Sequence, residues 1–386
     1  MSENSVGARA AHFVHQNFLW FLVGSYALAA FSPALGLWLR DVSLGELPLG
    51  GGSSSSRVSL SMLMLSFLLL NAGLGVEPSQ LKRLVQNPLT LVIGLGANLL
   101  IPIAFIFGVT QVMRLWHNPD EVQNILVGLA LVASMPIAGS STAWSQNANG
   151  NMALSLGLVL FSTFLSPVTT PIALHAVGLM TTGDYSEDLH ELASGGTNAF
   201  LAITVILPSI AGIVLHVLIG KTRLRAVKPY LKLTNFLVLF LLIYSNASIS
   251  LPQAVRQPDY DFLAVMLVIA AGLCGTAFSA GWLISRLLGV GNGERTSLMF
   301  GLGMNNNGTG LVLASMALAD HPRAMLPIIF YNLVQHLVAG GVDRVILRGQ
   351  LVHAVPPATA AATADPQSLS ANACLTPRGA PHRHGL

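Results

Sequence analysis

Apolar stretches of membrane-crossing length recur through most of this chain, and any fold it adopts must accommodate them. A helix crossing the hydrocarbon of a bilayer needs about 20 predominantly apolar residues. Such stretches are bounded at 17–38, 58–76, 88–113, 122–147, 151–179, 197–219, 230–249, 262–288, 294–319 and 325–346. Of the 386 residues, 53% are hydrophobic and only 9% charged, against roughly 25% charged in a soluble domain. So few charges cannot solvate a soluble protein of this length, and the apolar excess must face lipid. Backbone groups in lipid are satisfied within helices or closed barrels, and the period-two alternation of a barrel is absent. The expected fold class is therefore an all-α polytopic membrane protein with ten transmembrane helices.

Orientation follows from charge. Lys and Arg favour the cytoplasmic side. With the N-terminus inside, only Arg40, Arg57, Arg114, Arg256 and Arg323 of the 19 basic residues fall outside, whereas Asp184, Glu187, Asp188 and Glu191 gather in one external loop. An odd helix count would destroy that contrast, so both termini are expected in the cytoplasm, with the protein in a plasma or inner membrane. Cleavage of the first helix as a signal peptide, for which Ala27-Leu28-Ala29 offers a small-residue site, would upset the same pattern. The expected organisation is a cytoplasmic N-terminus (1–16), a five-helix repeat (17–179), an external acidic loop (180–196), a second five-helix repeat (197–346) and a disordered cytoplasmic tail (347–386). A flexible external linker is expected at 50–56. Because five is odd, the second half enters from the opposite side, the geometry of an inverted repeat.

Several function classes are excluded. A formal charge of +3 offers no footprint for nucleic acid, and Cys274 and Cys374 make no disulfide framework. Gly220-Lys221-Thr222 resembles the end of a phosphate loop, but Leu215 stands where that motif needs its first glycine, and no ATPase module is present. Ser140 or Ser141 with His336 is the one conceivable hydrolase pair, and nothing in the spacing brings them together. No enzyme activity and no organic cofactor are expected, and no pattern fixes an oligomeric state.

The fourth helix of each half is compositionally odd. One contains Met135-Pro136-Ile137-Ala138-Gly139-Ser140-Ser141-Thr142, the other Gly301-Leu302-Gly303-Met304-Asn305-Asn306-Asn307-Gly308-Thr309-Gly310. Pro136 removes a backbone donor and the glycines weaken helix continuity. Matching interruptions in two halves point to a transport site, with unwound carbonyls for a cation and half-helix N-termini for an anion. Small and hydroxyl residues also simply let helices pack closely, which would account for Ser140 and Ser141. Packing does not account for Asn305, Asn306 and Asn307, since three consecutive amides point around the whole helix. Ser140, Ser141, Thr142, Asn305, Asn306, Asn307 and Gly308 are thus the candidate contacts for a small anion. His336, beside Gln335 and Asn332, is a candidate proton site; the alternative is a neutral imidazole hydrogen-bonded within the bundle. His175 and His216 fall nearer helix ends and are expected at the interface.

At these residues the chain resembles the bile acid:sodium symporter family. The resemblance runs from about Val58 to Arg344 and is most specific at 136–167, including Gly150-Asn151, Ala153-Leu154-Ser155 and Ser166-Pro167, and at Gly303-Met304-Asn305-Asn306. It implies ten helices divided into a panel domain (helices 1, 2, 6 and 7) and a core domain (3–5 and 8–10), with helices 4 and 9 broken and crossing. It implies an organic anion as substrate, bound near the crossing, and sodium as coupling ion. Asn98, Ser141, Thr142, Ser155 and Asn305 stand at family ion-binding positions, with Asn98 and Asn305 in place of glutamines and Thr142 in place of an asparagine. Two positions depart further: Val159 replaces a threonine, and Gly301 stands where the family carries a glutamate shared by both ion sites. Sodium-coupled transport of an organic anion by alternating access is the expectation. The alternatives are a sodium-independent or proton-linked carrier of the same fold and a non-transporting membrane sensor.

Overall fold

The computed structural model describes residues 9–10, 13–14, 16–48, 55–76, 88–194, 197–318 and 320–354. Residues Met1–Arg344 form one compact unit; of Val345–Leu386 only the last turns of the final helix, to Ala354, are described. The N-terminal residues 1–8 and the tail beyond 354 lie outside the described residues.

The first apolar stretch is not one continuous span. Helix α1 (Phe18–Phe31) stops at Ser32-Pro33, and α2 (Ala34–Asp41) leaves it at 92°. Pro33 has no N–H to continue the ladder and its ring clashes with the preceding turn, so the predicted helix over 17–38 is broken there. Strands β1 (Ser43–Pro48) and β2 (Ser55–Ser59) then form an antiparallel hairpin, with Pro48 opposite Ser55. Of the expected linker at 50–56, Ser55 and Ser56 lie in β2, and residues 49–54 lie outside the described residues. Ser59 caps α3 (Leu60–Leu74), its hydroxyl accepting from the Met62 N–H at 3.3 Å.

Helix α4 (Pro88–Met113) is followed by α5 (Pro119–Ser134), where Asn118 caps the Asp120 N–H at 3.1 Å and Pro119 fills the first helical position. Helix α5 is buried on nearly all sides, so it lies inside the bundle rather than against lipid. Helix α6 (Ser140–Asn147) turns through Asn149, at φ 56°, into α7 (Met152–Gly178), which Asn151 caps. The expected acidic loop at 180–196 contains a helix, α8 (Asp184–Ser194), docked on α7. Its Asp188 carboxylate lies 3.5 Å from His321. Burial pushes the Asp188 carboxyl above its usual range, and the facing His321 pulls the other way.

Helix α9 (Thr197–Ile219) carries one π-helical turn at Ala202–Ile206. It is joined to α10 (Lys221–Ala247) through Gly220 at φ 78°. Gly220-Lys221-Thr222 is thus a left-handed turn between helices, not a phosphate loop. The chain continues through α11 (Leu251–Arg256), α12 (Tyr260–Leu287), α13 (Asn292–Gly303), α14 (Asn307–Ala317), a 3-10 turn at Pro322–Met325 and α15 (Leu326–Ala354).

Among the described residues six segments are long and apolar enough to cross a membrane, and the bent α1–α2 pair raises this to seven. Leu115, Phe31 and Trp20 are 90%, 77% and 74% exposed, apolar surface that suits lipid and not water. The protein is a predominantly helical, multi-pass integral membrane protein. Its tightest seam joins α3 to α9, where a Cβ on Gly73 would collide with the Ser209 carbonyl and one on Gly212 with the Leu70 carbonyl. Small residues let these two backbones touch. Gly212→Val should cost at least about 1–3 kcal/mol of stability by overpacking, read as a lowered melting temperature of the detergent-solubilised protein. Gly108→Val, at a position open on all sides, should leave that temperature unchanged.

Candidate functional site

The two odd segments meet. Helix α5 ends at Ser134 and α6 begins at Ser140; α13 ends at Gly303 and α14 begins at Asn307. Between them the chains are extended and run antiparallel, Ile137 opposite Asn305. The Ala138 N–H donates to the Met304 carbonyl and the Asn306 N–H to the Pro136 carbonyl, both at 2.8 Å. Each broken helix thereby satisfies the backbone of the other, which an unwound segment inside a membrane protein requires.

The remaining backbone groups of the breaks find side chains. The Ile137 N–H donates to Ser162 Oγ at 3.0 Å, and Thr170 Oγ1 donates to the Ser134 carbonyl at 2.6 Å. Asn305 is held on both sides by Gln335: its N–H donates to Gln335 Oε1 at 3.1 Å, and Gln335 Nε2 donates back to its carbonyl at 3.3 Å. Its own Nδ2 donates to the Val132 carbonyl at 2.9 Å.

The candidate residues divide by exposure. Ser140, Thr142, Asn306 and Gly308 are half-buried at the starts of α6 and α14. Gly308 faces Leu242 of α10. Helix starts present N–H groups that suit an anion. Thr142 Oγ1 donates to the Gly139 carbonyl at 2.7 Å, and Asn306 Oδ1 caps the Thr309 N–H at 3.3 Å. Ser141, Asn305, Asn307 and Ser155 are fully buried.

The side-chain oxygens Asn98 Oδ1, Ser141 Oγ, Ser155 Oγ and Asn305 Oδ1 are buried and have no hydrogen-bond partner, and neither amide atom of Asn307 has one. Buried polar atoms normally do. Thr309 Oγ1 shares this property and was passed over in the sequence; its only signal there is its place three residues after the capping Asn306. Gly94 of α4 and Gly301 of α13 both face Leu158 of α7, with Leu158 side-chain carbons 2.8 and 2.9 Å from where a Cβ would sit. Asn98 lies one turn beyond Gly94 and Ser155 one turn before Leu158, on the same helix faces. Leu158 belongs to an apolar cluster with Leu91, Ile137, Leu154 and Leu298, and Ile137 of that cluster is the residue opposite Asn305. Leu158 packs where a side chain at position 301 would emerge.

The histidines resolve differently from one another. His336 is buried against Phe18, ring centroids 4.9 Å apart, with Nδ1 unpartnered. Gln335 and Asn332 bond to each other and to other groups. His216, in the last turn of α9, is buried, with Nδ1 2.8 Å from the Leu74 carbonyl. The close α3–α9 seam encloses it. His175 is exposed and lies 4.6 Å from the His190 ring.

The Sodium Bile acid symporter family matches residues 62–257, about half of the chain and including the first break. The chain belongs to that family. It is 25% identical over 309 residues to "Uncharacterized sodium-dependent transporter YocS" of Bacillus subtilis (strain 168), covering 80% of this chain and 84% of that protein. It is 24% identical over 278 residues to "Uncharacterized protein YbaS" of the same organism, covering 71% and 84%. It is 23% identical over 298 residues to "Probable sodium/metabolite cotransporter BASS2, chloroplastic" of Oryza sativa subsp. japonica, covering 77% and 62%.

Leu158→Ala should cost about 2–5 kcal/mol through the cavity it leaves. Adding Gly301→Glu should recover part of that loss, whereas Gly301→Glu alone, pressed against Leu158, should destabilise. Melting temperatures of the three variants check this coupling.

Proposed function

We propose that the protein is a secondary active transporter that carries a small organic anion by alternating access and couples it to sodium. The observation that carries this is the pair of joined helix breaks, with buried, unpartnered oxygens at Ser141 and Asn305 in and beside them and at Asn98 on α4 and Ser155 on α7. Leaving such atoms without a partner is costly, and a cation bound among them removes that cost. Asn307 and Thr309 add two more such oxygens. Relatives named as a sodium-dependent transporter and a sodium/metabolite cotransporter support sodium as that cation.

The anion would be held at the starts of α6 and α14, where Ser140, Thr142, Asn306 and Gly308 are half-buried and Ser141 and Asn307 are buried. Half-helix N-termini there offer donors and positive potential to a carboxylate or sulfate. The ten-span architecture assigns α1–α3, α9 and α10 to a panel and α4–α7 with α12–α15 to a core, in two inverted halves. Both termini lie in the cytoplasm of a plasma or inner membrane. One end of α10 is closed by packing: residues 242–247 are buried. At the sealed end Arg40 Nη2 donates to the Ser315 carbonyl at 2.7 Å and the Tyr244 hydroxyl to the Ser32 carbonyl at 2.6 Å.

Sodium-independent or proton-linked carriage is favoured by one observation, Leu158 packed beside Gly301 with no carboxylate there to balance a cation. The unpartnered His336 is the group that would hold a proton. Purified protein in liposomes separates these readings. Sodium-coupled carriage predicts anion uptake that accumulates against a gradient in sodium and fails in potassium or choline; equal uptake in all three salts refutes it. Asn306→Leu should abolish uptake with normal membrane insertion, and normal uptake would place the anion elsewhere. Gly301→Glu with Leu158→Ala should lower the half-saturating sodium concentration at least tenfold, since it returns a charge to a dry site.

A further inference from the structure

The hydrogen bonds that hold Asn305 do not stop at Gln335. Gln335 Nε2 also donates to Asn332 Oδ1 at 3.1 Å, and Asn332 Nδ2 donates to the Tyr26 hydroxyl at 2.8 Å. All four residues are buried. The direction of this chain is fixed by its first member. A backbone N–H can only donate, so the Gln335 oxygen must face the Asn305 N–H. Its nitrogen then faces the Asn305 carbonyl and Asn332 Oδ1, which turns the Asn332 nitrogen toward Tyr26. No flipped amide satisfies the same set.

The two ends of the chain differ in kind. Asn305 sits in the α13–α14 break, and its Oδ1 is one of the unpartnered oxygens. Tyr26 sits on α1, so the Asn332–Tyr26 bond joins α15 to α1. One turn along α15, His336 packs on Phe18 of α1. The α1–α15 contact includes one hydrogen-bonded pair and one ring pair, and the first connects by hydrogen bonds to the break.

We propose that Gln335, Asn332 and Tyr26 are positioning residues that couple the ion-binding state of Asn305 to the contact between α15 and α1. This rests on Asn305 being an ion ligand, as proposed above. A cation drawn to Asn305 Oδ1 shifts the extended segment that Gln335 clamps on both sides. Gln335 carries that shift to Asn332, and the Asn332–Tyr26 bond is kept or released with it. The energetic requirement is modest, because the ion need only favour one of two states of a contact in which a single buried hydrogen bond is kept or released.

The test uses the full-length protein in liposomes, with sodium and the transported anion titrated separately for wild type, Tyr26→Phe, Asn332→Ala and the double variant. Tyr26→Phe removes one hydroxyl and keeps the ring, so folding should persist. Expected is a shift of about two- to tenfold in half-saturating sodium, the factor one buried hydrogen bond is worth. The half-saturating anion concentration at saturating sodium should move less than twofold. The double variant should behave as Asn332→Ala alone, because both changes cut the same chain. A merely structural role would lower the maximal rate of each variant and leave half-saturating sodium in place. Sodium-dependent wild type with unshifted variants, or additive effects in the double variant, overturns the coupling while leaving the ion site standing. Wild type without sodium dependence overturns both. If Asn332→Ala fails to fold, the Tyr26→Phe titration alone decides.

Discussion

Two hydrogen bonds between the broken helices, from Ala138 to Met304 and from Asn306 to Pro136, set the terms for everything around them. A helix interrupted in the middle of a membrane protein exposes carbonyls and N–H groups that neither lipid nor a dry core can satisfy. Here each break supplies a short extended partner for the other, so neither can exist alone. Once paired, four helix ends converge on one point: the last carbonyls of α5 and α13 and the first N–H groups of α6 and α14. Opposite partial charges are thereby brought within a few residues of each other, with no charged side chain involved. The bundle around them supplies what the bridge leaves over, through Ser162, Thr170 and Gln335.

That arrangement also explains why the same short segments hold both a buried and an accessible set of polar groups. An extended residue points its neighbours to opposite faces. Asn305 therefore turns its side chain into the core, toward Val132, while Asn306 remains half-exposed at the start of α14. A cation and an anion can be held on opposite faces of one strand-like turn, close enough to feel each other and screened by little water. Neutral oxygens replace a carboxylate in the buried set, and Leu158 occupies the space beside Gly301. Charge balance for a bound cation then falls to dipoles, which weakens binding relative to a carboxylate site, or to the anion itself. In the second case the two substrates would need each other, a physical basis for coupling without a shared glutamate.

Much of this was legible in the sequence for a simple reason. Span length and charge asymmetry are imposed by the bilayer and leave marks on consecutive residues. The breaks were legible because Pro136 and the Asn305-Asn306-Asn307-Gly308 run violate helix chemistry locally. What was not legible depends on contacts between distant residues. Nothing beside Gln335 in the chain announces that its amide clamps Asn305, thirty residues away, and nothing near His216 shows that Gly73 and Gly212 draw two helices close enough to bury it. The bend at Pro33 stood in plain view, but an apolar run on both sides concealed it. The helix at Asp184–Ser194 was hidden by its charges, which mark exposure and not irregularity.

The split between local and distant determinants bears on how a divergent sequence keeps a transport mechanism. The backbone bridge needs only that both helices break, a condition that many residues meet. Ion chemistry needs oxygens at given places, and a hydroxyl, an amide or a carbonyl can each supply one. The carboxylate is the member that cannot be replaced in kind, since no neutral group cancels a charge in a low-dielectric site. A glycine at 301 therefore alters the electrostatics of the site while leaving its geometry available. The apolar cluster that contains Leu158 fits that change: with no charge to solvate, aliphatic side chains packed against Gly94 and Gly301 are the more stable filling.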